Sequence, residues 1–229
     1  ALDEKLPLMM HAAETWMEVS LLREGSGAFA DGLRSRGIDW QAPGVSPIQH
    51  LKQHGILDTQ ALLAHCIHVD DADVETLRET QTRVAHCPKS NSKLRHGVAP
   101  LRKFVEQGIV VGLGSDSVAS NNVCDLFEEA RYALLLARSG RAEKNLTPDL
   151  SAQDVLQLAT SGGAAALGMS EQIGALQAGM QADFAIVSLD GAHQIPVYDP
   201  IGTLIFSSGA RDVVLTVVAG REVYRDGRV

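Results

Sequence analysis

The stretch Ala61-Leu62-Leu63-Ala64-His65, residues 61–65, is a short apolar run that stops at a histidine. A run of this length is too short for an ordinary helix and predicts a buried strand. Three more runs have the same form: Leu6 to Met10 stops at His11, Thr82 to Ala85 stops at His86, and Ile109 to Leu113 leads into Gly114-Ser115-Asp116. Amphipathic helical stretches separate them. Ser46-Pro47 opens one that Gly55 closes, and Pro100 opens another that Gly108 closes, the proline-first, glycine-last asymmetry of helices. Strands alternating with helices predict βα units on a parallel sheet, an α/β fold. Further helices are expected from about Asn122 to Arg138 and from Ala152 to Leu167, the second behind a Ser151/Asp154 capping pair.

Past Gly168 the pattern changes. Ala182 to Leu189, Val213 to Ala219 and Glu222 to Tyr224 are rich in Val and Ile and separated by Gly and Asp turns, so this tail is expected to be β. The division is placed near residue 170, giving an α/β part over 1–169 and a small β segment over 170–229.

Composition removes several function classes. The net charge is −8 and the 20 Lys and Arg are scattered, so no basic stripe offers itself to nucleic acid. No apolar stretch approaches the roughly 18 residues of a membrane span. Three cysteines, odd in number and unevenly spaced, make neither a disulfide framework nor a metal knuckle, which suits a cytoplasmic setting. Ala1 to Lys5 shows no basic start to a secretory signal.

The chemistry is expected at the strand ends. In a parallel β/α barrel the active site forms at the carboxy ends of the strands, so His11, His65, His86 and Asp116 would converge on one face. Any one strand-end histidine is more often structural; four such residues in register are not. Glu14, three residues after His11, would set a carboxylic acid beside a metal-ligating imidazole at a strand-to-helix turn. A divalent ion held by imidazole and carboxylate lowers the pKa of water toward ~7, giving a nucleophile without an activated Ser or Cys. Asp116 as a plain helix cap, and Glu128 and Glu129 as solvated or supporting groups, are the milder readings. His50, His54, His96 and His193 are set aside as surface or structural, and Trp16 and Trp40 are expected in the core. Met17 to Gln41 is either a lid over the site or two consecutive helices.

Leu62 to His68, His86-Cys87-Pro88-Lys89-Ser90-Asn91, Gly97 to Pro100, Gly114 to Asn122 and Gly179 to Phe184 together resemble the deaminase and chlorohydrolase branch of the amidohydrolase superfamily. Within it, the chain is most similar in appearance to enzymes that deaminate aminodeoxyfutalosine or thioether-substituted adenosine. The resemblance implies the second half of a (β/α)8 TIM-type barrel over 1–169 and a β-sandwich segment over 170–229. It also implies one divalent metal, Zn with Fe or Mn as alternatives, and a small heterocyclic substrate that loses ammonia. His11 and Asp116 would then be metal ligands, Glu14 the proton donor to a ring nitrogen, and Asp116 also the base for the attacking water. His65 would bind that water or the developing oxygen, with His86, Ser90 and Asn91 supporting the site or facing substrate. Removal of chloride or opening of a cyclic amide is the alternative chemistry, and a non-catalytic half-barrel the alternative outside enzymes.

The pattern departs from the family in one respect: no His-x-His occurs, and four of eight barrel strands are visible. Four strands leave an open edge. An absent upstream half is therefore expected to cover it, with a second chain or a homo-oligomer as the other possibilities.

Overall fold

Each of the four short apolar runs contributes to a strand in the computed structural model, which describes residues 6–139 and 150–229, although Leu6 to Met10 supplies only its last two residues and the strand runs on through His11. The chain divides into two units, Ala1–Val110 and Val111–Val229.

The first unit carries β1 (Met9–Ala12), β2 (Leu62–His65) and β3 (Arg83–His86) as parallel neighbours, with Met9 opposite Leu62 and Leu62 opposite Arg83. Leu63 and Val84 have no exposed surface, so the middle of this sheet is core on both sides, as a parallel sheet requires. Between β1 and β2 run α1 (Trp16–Glu24), α2 (Gly27–Ser35) and α3 (Pro47–Gln53). Two consecutive helices thus occupy most of Met17 to Gln41. Gly25, left-handed at φ 65°, ends the first of them. Ser46 caps α3 as expected, its hydroxyl accepting the Gln49 N–H at 3.1 Å. Helix α4 (Asp71–Glu79) starts with a reciprocal Asp70/Asp73 capping box, α5 (Pro88–Lys93) follows β3 directly, and α6 (Leu101–Glu106) precedes Gly108.

The second unit begins with β4 (Val111–Leu113) and the single-turn α7 (Val118–Asn121). The helix expected from Asn122 starts later, as α8 (Leu126–Ser139): Asn122 is left-handed at φ 75° and closes α7, and the Asp125 carboxylate accepts the Phe127 N–H at 2.9 Å as a new cap. The helix expected over Ala152 to Leu167 is two, α9 (Ala152–Ala159) and α10 (Ser161–Leu167), broken at Thr160. Ser151 and Asp154 form the foreseen capping box. The break lets α10 press on β4. A Cβ on Gly162 would lie 2.8 Å from the Val111 carbonyl oxygen, and one on Gly112 would lie 2.9 Å from Gly163 Cα, so this backbone approach admits only glycine.

In the tail, β5 (Phe184–Val187), β6 (Val213–Val218) and β7 (Arg221–Arg225) form one antiparallel sheet in that order, with α11 (Pro200–Phe206), which the sequence pattern did not flag, between β5 and β6. A sandwich takes two sheets, and the described residues of the tail make this one. Among the described residues no helix is long and apolar enough to cross a membrane.

Candidate active site

The carboxy end of the first unit's sheet gathers five of the expected residues: His11 on β1, Glu14 just after it, His65 and His86 as the last residues of β2 and β3, and Asn91 on α5. His11 pairs in register with Ala64 and Ala12 with His65, so a regular pleat would send His11 and His65 to opposite faces. Instead His65 is left-handed, φ 75°, and rotation about its N–Cα bond swings its side chain across. The two imidazoles stack with centroids 5.1 Å apart and planes 25° apart, and a ring nitrogen of one lies within 4.8 Å of a ring nitrogen of the other. Ala13 and Cys66 are left-handed as well, so this edge holds three non-glycine residues in a sparsely populated conformation.

His65 is fully buried, and its Nδ1 donates to Asn91 Oδ1 at 2.8 Å. That leaves Nε2 as the lone-pair nitrogen, 3.6 Å from Glu14 Oε1 and without a hydrogen-bond partner among the described residues. His86 is also buried; desolvation, with the neighbouring His65 adding to it, pushes its pKa down to about 4, so it stands neutral at pH 7. Ser90 is buried on α5, one residue before Asn91. Cys66, next to His65, is kept protonated because burial pushes its thiol up, which excludes it as a nucleophile.

Glu14 is placed by a residue that sequence reasoning missed. Glu18, in the first turn of α1, accepts the Ala13 N–H through Oε1 and the Glu14 N–H through Oε2, each at 3.0 Å. The spacing Glu14-x-x-x-Glu18 is the signal that was available: a carboxylate in the first helical turn is positioned to receive the free N–H groups of the turn before it. Burial pushes the Glu18 carboxyl up, opposed by these two N–H donors.

His96, set aside as surface or structural, lies instead against Glu14, Nδ1 to Oε1 at 3.1 Å. Its position just beyond α5, on the same edge as His86, was the clue. Trp16 corrects the other way: expected in the core, it is 67% exposed and tilts against the His68 ring at 4.5 Å, because the left-handed Ala13 turn starts α1 at the sheet edge. Trp40 is partly buried and donates its indole N–H to the Leu21 carbonyl at 3.0 Å.

Asp116 belongs to the second unit, in the loop between β4 and α7, left-handed at φ 57°. The loop is tied down from behind: Asn121 Nδ2 donates to the Ser115 carbonyl at 2.5 Å and to the carboxylate of Glu129, which is fully buried on α8. Glu129 is therefore a supporting group and not a solvated one.

Imidazole nitrogens and carboxylates at the carboxy edge of a parallel sheet are the donor set of metal-assisted hydrolases. The description of the amidohydrolase family matches residues 1–223, and the chain belongs to that family. It is 36% identical, over its whole length and 48% of the relative, to the 5-methylthioadenosine/S-adenosylhomocysteine deaminase of Syntrophobacter fumaroxidans. Among solved structures it resembles a zinc-bound adenosine deaminase from Xanthomonas campestris (30% identity, TM-score 0.81, 98% of this chain and 47% of that one). It also resembles a zinc complex of atrazine chlorohydrolase from Arthrobacter aurescens (27% identity, TM-score 0.82, 100% and 46%). The chain spans about half the length of the curated relatives it matches.

Proposed function

We propose that this chain is the carboxy-terminal part of a metal-dependent aminohydrolase that releases ammonia from an aminopurine nucleoside or a related nitrogen heterocycle. The observation that carries it is the Glu14–His65 pair, a half-buried carboxyl 3.6 Å from a buried imidazole nitrogen that has no hydrogen-bond partner among the described residues. Hydrolytic deamination needs a proton donor for a ring nitrogen and an acceptor that holds the O–H of the attacking water, and these two side chains supply them side by side.

The donor set suits a borderline divalent ion such as Zn: His11 offers an imidazole nitrogen and Asp116 a carboxylate, while the buried His65 Nε2 beside His11 lacks a hydrogen-bond partner among the described residues that a water could supply. In this reading His11 and Asp116 hold the metal, and the relatives' missing half supplies further ligands. When bound, the metal would lower the pKa of water toward ~7. Glu14 gives its proton to the ring nitrogen, which makes the amino-bearing carbon electrophilic. His65 Nε2 accepts a hydrogen bond from the O–H being added there, and Asp116 takes that oxygen's proton and returns it to the amino nitrogen, so that the C–N bond breaks and ammonia leaves. Neutral His86 and the Ser90-Asn91 turn keep the floor of the site fixed. Barrel organisation over 1–169, a sandwich segment over 170–229 and a cytoplasmic location belong to the same proposal.

The test is ammonia release by the full-length metal-loaded protein from a panel of aminopurine nucleosides, together with metal analysis. His11→Ala and Asp116→Ala should lose both metal and turnover, whereas Glu14→Gln should keep the metal and lose turnover by at least about a hundredfold. Full activity in Glu14→Gln would end the mechanism. Likeness to the atrazine chlorohydrolase favours chloride displacement as a second reading; a 6-chloropurine nucleoside in the same panel decides between them.

A further inference from the structure

His96 is not used by the chemistry above, yet it touches its central acid. The chain leaves α5 through a left-handed Arg95, φ 61°, and the His96 N–H returns to the Asn91 carbonyl at 2.9 Å, so the loop folds back over the strand end. Gly97 allows the closure: a Cβ there would meet Ile67 Cγ2 at 3.2 Å and His68 Cε1 at 3.8 Å. His68 is backed in turn by the Trp16 ring. The turn that carries His96 is thus packed at Gly97 against Ile67 and His68, and its imidazole lies against Glu14.

The two ion-pair contacts of Glu14 fall on one oxygen. Oε1 is 3.1 Å from His96 Nδ1 and 3.6 Å from His65 Nε2. The His96 contact is at ion-pair distance but off the hydrogen-bond axis, a looseness common in ligand-free sites that tightens when substrate arrives.

We propose that His96 is a positioning residue for Glu14: by holding Oε1 through its Nδ1–H it presents Oε2, with its proton, to the ring nitrogen of the substrate. The step balances within the site. The Oε2–H bond breaks, the N–H bond forms on the ring, and the negative charge left on Glu14 is met by the His96 N–H. This rests on Glu14 being the proton donor of the reading above.

The experiment compares His96→Leu with His96→Asn in the full-length metal-loaded protein, on a 6-aminopurine and a 6-chloropurine nucleoside. Leucine fills the space and cannot donate, whereas the Asn amide nitrogen sits where Nδ1 did. On the amino substrate His96→Leu should lower kcat by at least about thirtyfold with KM within about twofold, and His96→Asn should recover to within about threefold of the parent. Protonating the ring nitrogen activates a chloro-bearing carbon in the same way, so the leucine variant should lose kcat on the chloro substrate as well, by at least about tenfold. No recovery with Asn, or no loss with Leu on either substrate, overturns the role of His96. A parent protein that releases no ammonia from any aminopurine nucleoside overturns the functional reading itself, which is a different result.

Discussion

His65 Nδ1 donates to Asn91 Oδ1 at 2.8 Å, joining the end of one strand to the helix that follows the next. Both partners are buried, so the bond fixes which nitrogen of His65 carries the proton and leaves Nε2, 3.6 Å from Glu14 Oε1, as the lone-pair nitrogen. Asn91→Leu removes the acceptor and strands a buried N–H. We expect a loss of about 1–3 kcal/mol in urea denaturation and a fall in turnover of about ten- to a hundredfold. Unchanged turnover would mean that His65 needs no orientation.

Glu18 receives two consecutive backbone N–H groups, one through each oxygen. Glu18→Gln keeps one acceptor and puts an NH2 group against the other donor. The expected cost is about 1–3 kcal/mol, with kcat reduced and metal content unchanged. Loss of metal in parallel with kcat would place the effect at His11 instead of Glu14.

Acid should loosen the protein through His86. Its pKa falls from an ordinary 6.5 to about 4 on folding, so between those values the unfolded chain takes up a proton that the folded one refuses. Stability from this group is complete above about pH 6.5 and is lost as pH drops toward 4, by about 3 kcal/mol at most. Urea titrations at pH 7.5 and 4.5 should show that slope in the parent and a flatter one in His86→Gln; the same slope in both would assign the effect elsewhere.

The β4–α10 contact predicts a contrast between glycines. Gly162→Ala drives a methyl into the Val111 carbonyl and should cost about 1–3 kcal/mol. Gly32→Ala, within α2 with nothing near its added methyl, should stabilise by about 0.5–1 kcal/mol. Differential scanning calorimetry of the two variants reads both signs.

The strands were legible because each is a short apolar run punctuated by a chemical residue, and the capped helices because Ser46-Pro47 and Ser151/Asp154 announce themselves locally. Other features were not. The break at Thr160 depends on how closely Gly162 and Gly163 meet β4, a tertiary distance that helical periodicity does not record. The late start of α8 depends on Asn122 adopting a left-handed turn, which asparagine does in some contexts and not in others. His96 and Glu18 escaped because their signals, a histidine just beyond α5 and the spacing Glu14-x-x-x-Glu18, are weak by themselves; the folded edge is what brings them to Glu14. Trp16 was misjudged for the converse reason, since its size argues for the core while the Ala13 turn sets it outside.

The left-handed backbone at Ala13, His65 and Cys66, which sets the His11 and His65 side chains together, bears on protein engineering. Copying these side chains onto the strand ends of another parallel sheet would not reproduce the site, since ordinary strands would point His11 and His65 to opposite sides. A designer must transplant the bends along with the residues, and a directed-evolution library that varies only side-chain identity on a regular scaffold will not reach this arrangement.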